Sequence, residues 1–68
     1  SGPKDQALKC YDTAILINPK YAQAYYDKAE LLTSLGKYKQ ATSCYNQAIL
    51  LDPELKDKTK SNGSEWEP

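Results

Sequence analysis

Apolar residues return along this chain with the spacing of a helix in three separate stretches, each closed by a proline or a glycine. From Lys4 to Asn18, the residues Ala7, Tyr11, Ala14 and Ile15 recur three, four or one positions apart and line one face. Leu8, Leu16 and Ile17 widen that stripe, so the helix asks for cover from more than one direction. Pro19 ends it, because the residue before a proline is pushed out of helical geometry. A second stretch opens at Tyr21 or Ala22 and closes at Gly36, where a glycine suits a left-handed cap. Tyr25, Ala29 and Leu32 form its expected buried face, the small Ala29 letting a neighbour approach closely. Gln23, Tyr26, Asp27, Glu30, Thr33 and Ser34 make the opposite, polar stripe, and Lys28 lies at the border with its stem packed and its ammonium in water. In the third stretch Tyr38, Ala41, Tyr45, Ala48, Ile49 and Leu51 define the packed side, and Pro53 ends it. The spacing therefore predicts an all-α chain with helices over 4–18, 22–35 and 38–52, antiparallel because the connections are short. Tyr25, Ala29, Leu32, Ala41, Tyr45 and Ala48 are the expected packed centre.

The first and third stretches are near copies. QALKCYDTAILINP, Gln6 to Pro19, aligns with QATSCYNQAILLDP, Gln40 to Pro53, at a shift of 34 residues with eight of fourteen pairs identical. A fixed period of this size marks a solenoid of stacked supersecondary units, an architecture that presents surfaces to partners. Cys10 and Cys44 are one such identical pair. Stacked helices lie ~8–10 Å apart, beyond the ~7 Å between Cα atoms that a disulfide spans, so the two read as small, semi-buried hydrophobes.

Composition narrows the function classes. The 68 residues carry nine basic and nine acidic side chains, a formal net charge of zero, which leaves no cationic footprint for a nucleic acid or an anionic membrane. No run approaches the ~18 apolar residues of a membrane span, and no signal-peptide pattern opens the chain. An intracellular, cytoplasmic setting is the expectation. With no histidine, the two cysteines cannot complete the usual four-ligand zinc site, and no cofactor motif is present. A catalytic role has equally little to stand on: there is no glycine-rich phosphate loop and no nucleophile–histidine pairing. Asp27 and Glu30, three apart on one turn, are solvated helix surface.

The two ends are of a different kind. Residues 1–3, Ser-Gly-Pro, have the look of a cloning scar and are set aside, so that the chain reads as an excised piece of a longer array. After Pro53 the charges alternate, and Ser61-Asn62-Gly63-Ser64 is a turn-forming run; residues 56–68 are expected to be a disordered tail or a decayed further helix, with Trp66 aligned to Leu32 at the same shift of 34.

With the period, the order of residue types and the paired prolines in view, the chain resembles the tetratricopeptide repeat family from about Lys4 to Leu55. Residues 22–55 are similar to one full repeat: Tyr25, Ala29, Leu32 and Gly36 match the aromatic, small, bulky and turn positions of its first half, and Tyr38, Ala41, Tyr45, Ala48 and Pro53 those of its second. Residues 4–21 resemble the second half of a preceding repeat. Lys28 and Thr42 depart from the aliphatic residues often found at their positions, which points to a locally weaker core.

The resemblance implies antiparallel hairpins of a right-handed α-solenoid and a protein-binding module. Its groove would be lined by Gln23, Tyr26, Asp27, Glu30, Thr33 and Ser34, with Tyr26 the expected anchor because aromatics are enriched at binding hot spots. Some family members clamp a C-terminal carboxylate with basic side chains in this groove. Here Asp27 and Glu30 would repel a carboxylate, so a basic or polar peptide is the better electrostatic match. Self-association is the alternative expectation. Ala7, Tyr11 and Ile15 at one end, and Cys44, Tyr45 and Ile49 at the other, lack neighbours, and a homodimer or larger oligomer could cover them by end-to-end stacking or helix exchange.

Overall fold

A computed structural model describes residues 2–56. It holds three α-helices in chain order, α1 (Pro3–Ile17), α2 (Ala22–Ser34) and α3 (Tyr38–Leu51), within a residue or so of the expected spans. Pro3 opens α1 at the position where a missing N–H is harmless, and the Gly2 carbonyl accepts from the Gln6 amide at 3.0 Å, so two residues set aside in the sequence belong to the start of this helix. Residues 57–68, including Trp66 and the Asn62-Gly63-Ser64 run, lie outside the described residues.

The two connections are built on different local rules. Between α2 and α3 the backbone of Gly36 takes φ +81°, a left-handed conformation that costs a residue with a Cβ about 1–2 kcal/mol. The Gly36 amide donates to the Thr33 carbonyl at 3.0 Å and the Lys37 amide to the Leu32 carbonyl at 2.9 Å, the double closure of a Schellman cap. The other connection is an Asx turn that occurs twice. Asn18 is extended before Pro19, its amide donates to the Ala14 carbonyl at 2.9 Å, and its Oδ1 accepts from the Lys20 amide at 3.2 Å. Asp52 does the same before Pro53, with 2.8 Å to the Ala48 carbonyl and 3.2 Å from the Glu54 amide. A short polar side chain that bonds its own backbone two residues on makes this exit, and both repeats write one there.

α2 is the central helix and packs against both neighbours. That position explains the width of its buried side. At ~100° per residue, Ala24 and Tyr26 stand ~200° apart around the axis, with Leu32 and Ala29 between them, and all four are buried. Among the described residues Leu32 is the largest fully buried side chain, worth about 1.5–3 kcal/mol of transfer free energy. On α3 the buried residues are Ala41 and Ala48, small enough to let α2 come close, whereas α1 has no fully buried residue. Leu55, just past the second Asx turn, folds back to 3% exposure and joins Tyr26 and Ala48 in one cluster, edged by Ala22, Tyr25, Tyr45 and Ile49.

The expected packed centre holds at Ala29, Leu32, Ala41 and Ala48 and changes at its aromatic members. Tyr25 and Tyr45 are half-buried at the margin, while Tyr26, assigned to the polar stripe, is 9% exposed inside the core. Tyr38 is exposed rather than packed, and Leu16 and Ile17 remain open instead of being covered from a second direction. In each case the deciding factor is the neighbour: among the described residues α2 packs on both other helices, whereas α1 and α3 pack chiefly on α2.

Candidate functional site

The face of α2 turned away from α1 and α3 is a narrow polar strip. Gln23, Asp27, Glu30 and Ser34 fall within an arc of ~60° at helical spacing, and Thr33 stands beside them near the C-terminal end. Gln23 Nε2 donates to Asp27 Oδ1 at 3.0 Å, one turn along, and both side chains are half-buried. This bond fixes the Asp27 carboxylate and leaves its other oxygen free of that contact. Glu30 is exposed one turn further on. The Thr33 hydroxyl donates back to the Ala29 carbonyl at 2.9 Å and the Ser34 hydroxyl to the Leu31 carbonyl at 2.7 Å, so their protons are spent within the helix and their oxygens remain as acceptors. The strip is thus acidic and acceptor-rich.

Tyr26 departs from its expected place as the exposed anchor of this strip. Its ring meets Tyr45 of α3 edge-to-face, with centroids 5.3 Å apart and planes at 77°, the arrangement favoured by the ring quadrupoles. Burial raises its phenol pKa above the ordinary value, and the nearby carboxylate of Glu30, Tyr45 and Asp27 push the same way. Tyr26 therefore supports the strip from beneath rather than offering a side chain to a partner. Helical spacing alone could not separate Tyr25 from Tyr26, because α2 buries an arc wide enough to take either.

The one lysine of α2 points away from the strip. Lys28 Nζ meets Asp12 of α1 at 2.6 Å, a salt bridge across the α1–α2 contact. That bond raises the lysine pKa, partial burial opposing it and the Asp12 charge adding to it. Sequence reasoning placed the Lys28 stem correctly but missed the partner, because the pairing of two helix faces is not written in either helix alone. Cys44 of α3 lies near this pair; its thiol pKa is pushed up by burial, with Lys28 opposing and Asp12 adding. Cys10, its equivalent, is exposed. No cavity opens among the described residues, and they hold no cluster of metal-ligating side chains. No helix among them is long and apolar enough to cross a membrane.

The residues named for self-association sit at the two outer helices. Ala7, Tyr11 and Ile15 of α1 and Cys44, Tyr45 and Ile49 of α3 are all half-buried. Leu55 takes up part of the α3 side, through its cluster with Tyr26 and Ala48.

Paired helices joined by a glycine-capped turn, stacked on a copy of their own second member, define a helical-repeat protein. The family model for the tetratricopeptide repeat matches residues 22–55, which are α2, α3 and the turn after them, and the chain belongs to that family. Neither the curated proteins nor the solved structures give a significant match. Repeats of this family generally mediate protein–protein interactions.

Proposed function

We propose that this chain is a non-enzymatic interaction module and that the polar strip of α2 receives a basic or polar peptide from a partner protein. The observation that carries this reading is the separation of charge on α2. Asp27 and Glu30 stand on the open strip, while the lone cation of the helix, Lys28, is turned to Asp12 on the other side. A partner's lysine or arginine thus meets uncompensated carboxylates, which steer encounter and reject acidic competitors. Gln23, Thr33 and Ser34 add acceptors for backbone or side-chain donors of the peptide.

The test is a titration of the chain with a lysine- and arginine-containing peptide and with its glutamate-substituted counterpart. Binding of the basic peptide alone is expected, weakening with salt as exposed charges are screened. The double substitution Asp27→Asn, Glu30→Gln should lower affinity about two- to thirtyfold, since exposed ion pairs contribute roughly 0.2–1 kcal/mol each. Undiminished binding in that variant, or a preference for the acidic peptide, rules the reading out.

Self-association by end-to-end stacking takes second place. α1 and α3 are copies of the same helix, so end-to-end stacking brings like against like instead of recreating the α2–α3 contact.

A further inference from the structure

Gln23, Tyr26, Asp27 and Glu30 stand at i, i+3, i+4 and i+7 on α2, so each borders the next at ~5–6 Å between Cβ atoms and the four enclose one diamond of helix surface. Two of its corners are carboxylates, and among the described residues neither Asp27 nor Glu30 forms a salt bridge. Gln23 Nε2 holds one oxygen of Asp27 at 3.0 Å, which leaves the second oxygen and the Gln23 side-chain carbonyl as positioned acceptors. The fourth corner is a tyrosine whose ring is committed to the core and whose hydroxyl is not. Tyr26 is 9% exposed, yet among the described residues its Oη makes no hydrogen bond. No fully buried side-chain polar atom among those residues lacks a partner, so this oxygen lies at the surface. It faces the diamond, for besides burial the groups that raise its pKa include Glu30, one turn on, and Asp27, its neighbour. A nearly buried hydroxyl without a partner, set beside two unpaired carboxylates, suits a cation that also donates hydrogen bonds.

We infer that this diamond is a subsite for one guanidinium group, so that the strip selects an unmethylated arginine of the partner peptide over a lysine. The inference rests on the reading of the strip as the site of a basic peptide and names the side chain that anchors it. The fit is one of shape and donors. A guanidinium is planar and carries five N–H donors in a fixed fork, so one edge can meet both oxygens of Glu30 while another reaches the second oxygen of Asp27 and Tyr26 Oη. A lysine ammonium is a compact point charge; it satisfies one carboxylate and leaves acceptors ~5–6 Å away unmet. Guanidinium is also the more weakly hydrated cation, which suits a place floored by a half-buried aspartate and a nearly buried tyrosine. Tyr26 keeps its supporting role, since only its oxygen, at the floor of the strip, takes part.

The probes are capped glycine–serine peptides of equal charge that carry a single arginine, a single lysine or a single asymmetrically dimethylated arginine. Each is titrated into the isotope-labelled full chain while the Gln23 side-chain amide and the Glu30 backbone amide are followed by NMR. The arginine peptide should bind about five- to tenfold more tightly than the lysine peptide, roughly the net worth of one further hydrogen bond. Dimethylation keeps the charge and blocks the donors, so it should erase that preference. Tyr26→Phe removes the hydroxyl and keeps the ring against Tyr45; it should weaken the arginine peptide about three- to tenfold and leave the lysine peptide unchanged. Gln23→Met, on the half-buried surface, releases Asp27 without touching the core and should likewise reduce the preference for arginine. Equal affinity for all three peptides overturns the guanidinium subsite and leaves the basic-peptide reading standing, whereas failure of both the arginine and the lysine peptide to bind overturns the two together. A preference for arginine that persists unchanged in both variants places the guanidinium elsewhere and also overturns the inference.

Discussion

α1 and α3 read almost alike and live in different surroundings. Eight of fourteen aligned residues are identical, both helices leave through an Asx turn into proline, and both contact α2. Yet α3 buries two alanines completely and α1 buries none of its residues. Some aligned positions stay alike, Leu16 and Leu50 being 80% and 76% exposed, while others diverge, Cys10 being exposed and Cys44 half-buried. Burial in a repeat is therefore a property of the contact between units. The same side chains form a core where a neighbour is present and a surface where it is not.

Paired substitutions at equivalent positions break or sharpen this comparison. The largest contrast is expected at Leu55 and its counterpart Tyr21. Leu55→Ala should destabilise by about 2–5 kcal/mol, the usual cost of truncating a buried leucine, whereas Tyr21→Ala should stay within about 1 kcal/mol. Chemical denaturation of both variants decides it; equal losses would mean that the two ends are alike after all. Next come the alanines. Ala48→Leu forces a larger side chain into a filled contact and should cost roughly 1–3 kcal/mol, while Ala14→Leu should change stability by about 0.5 kcal/mol or less. A melting curve for Ala48→Leu superposing on the parent's would remove α2 from that face.

The smallest effect concerns the tie between α1 and α2. The Asp12 side chain is half exposed, so solvent screens its bond to Lys28, and a double-mutant cycle with Asp12→Asn and Lys28→Met should return a coupling of about 0–1 kcal/mol that shrinks in salt. Its pH dependence has a definite sign. Tyr26, Lys28 and Cys44 all have folded pKa values above their ordinary ones, so the folded state holds their protons more tightly than the unfolded chain. Their contribution is complete below the unfolded values, roughly 8.5 for the thiol and 10 for the other two, and is lost as pH rises through the folded ones. Thermal midpoints should therefore hold through neutral pH and fall in the alkaline range, and Tyr26→Phe should flatten part of that fall. A midpoint that rises above pH 10 would contradict the burial of Tyr26.

Much of this molecule is written in its sequence alone. Helix ends follow from local chemistry: Pro19 and Pro53 forbid continuation, Gly36 accepts φ +81°, and Asn18 and Asp52 bond their own backbone. The period of 34 follows from identity between distant segments, and with it the family and the acidic character of the strip formed by Gln23, Asp27 and Glu30. What needed the tertiary structure is everything that depends on a second helix. Tyr25 and Tyr26 are adjacent aromatics on a helix with a wide buried arc, and only the position of Tyr45 and Leu55 selects Tyr26 for the core. Lys28 could reach any nearby acid, and only the crossing of α1 brings Asp12 within 2.6 Å. Likewise α1 and α3 carry the same letters, and only the packing around each decides that α3 buries Ala41 and Ala48 while α1 buries no residue fully. Local rules act through a few bonds along the chain and can be seen in one dimension, whereas burial is decided by which surfaces exclude water from each other in three.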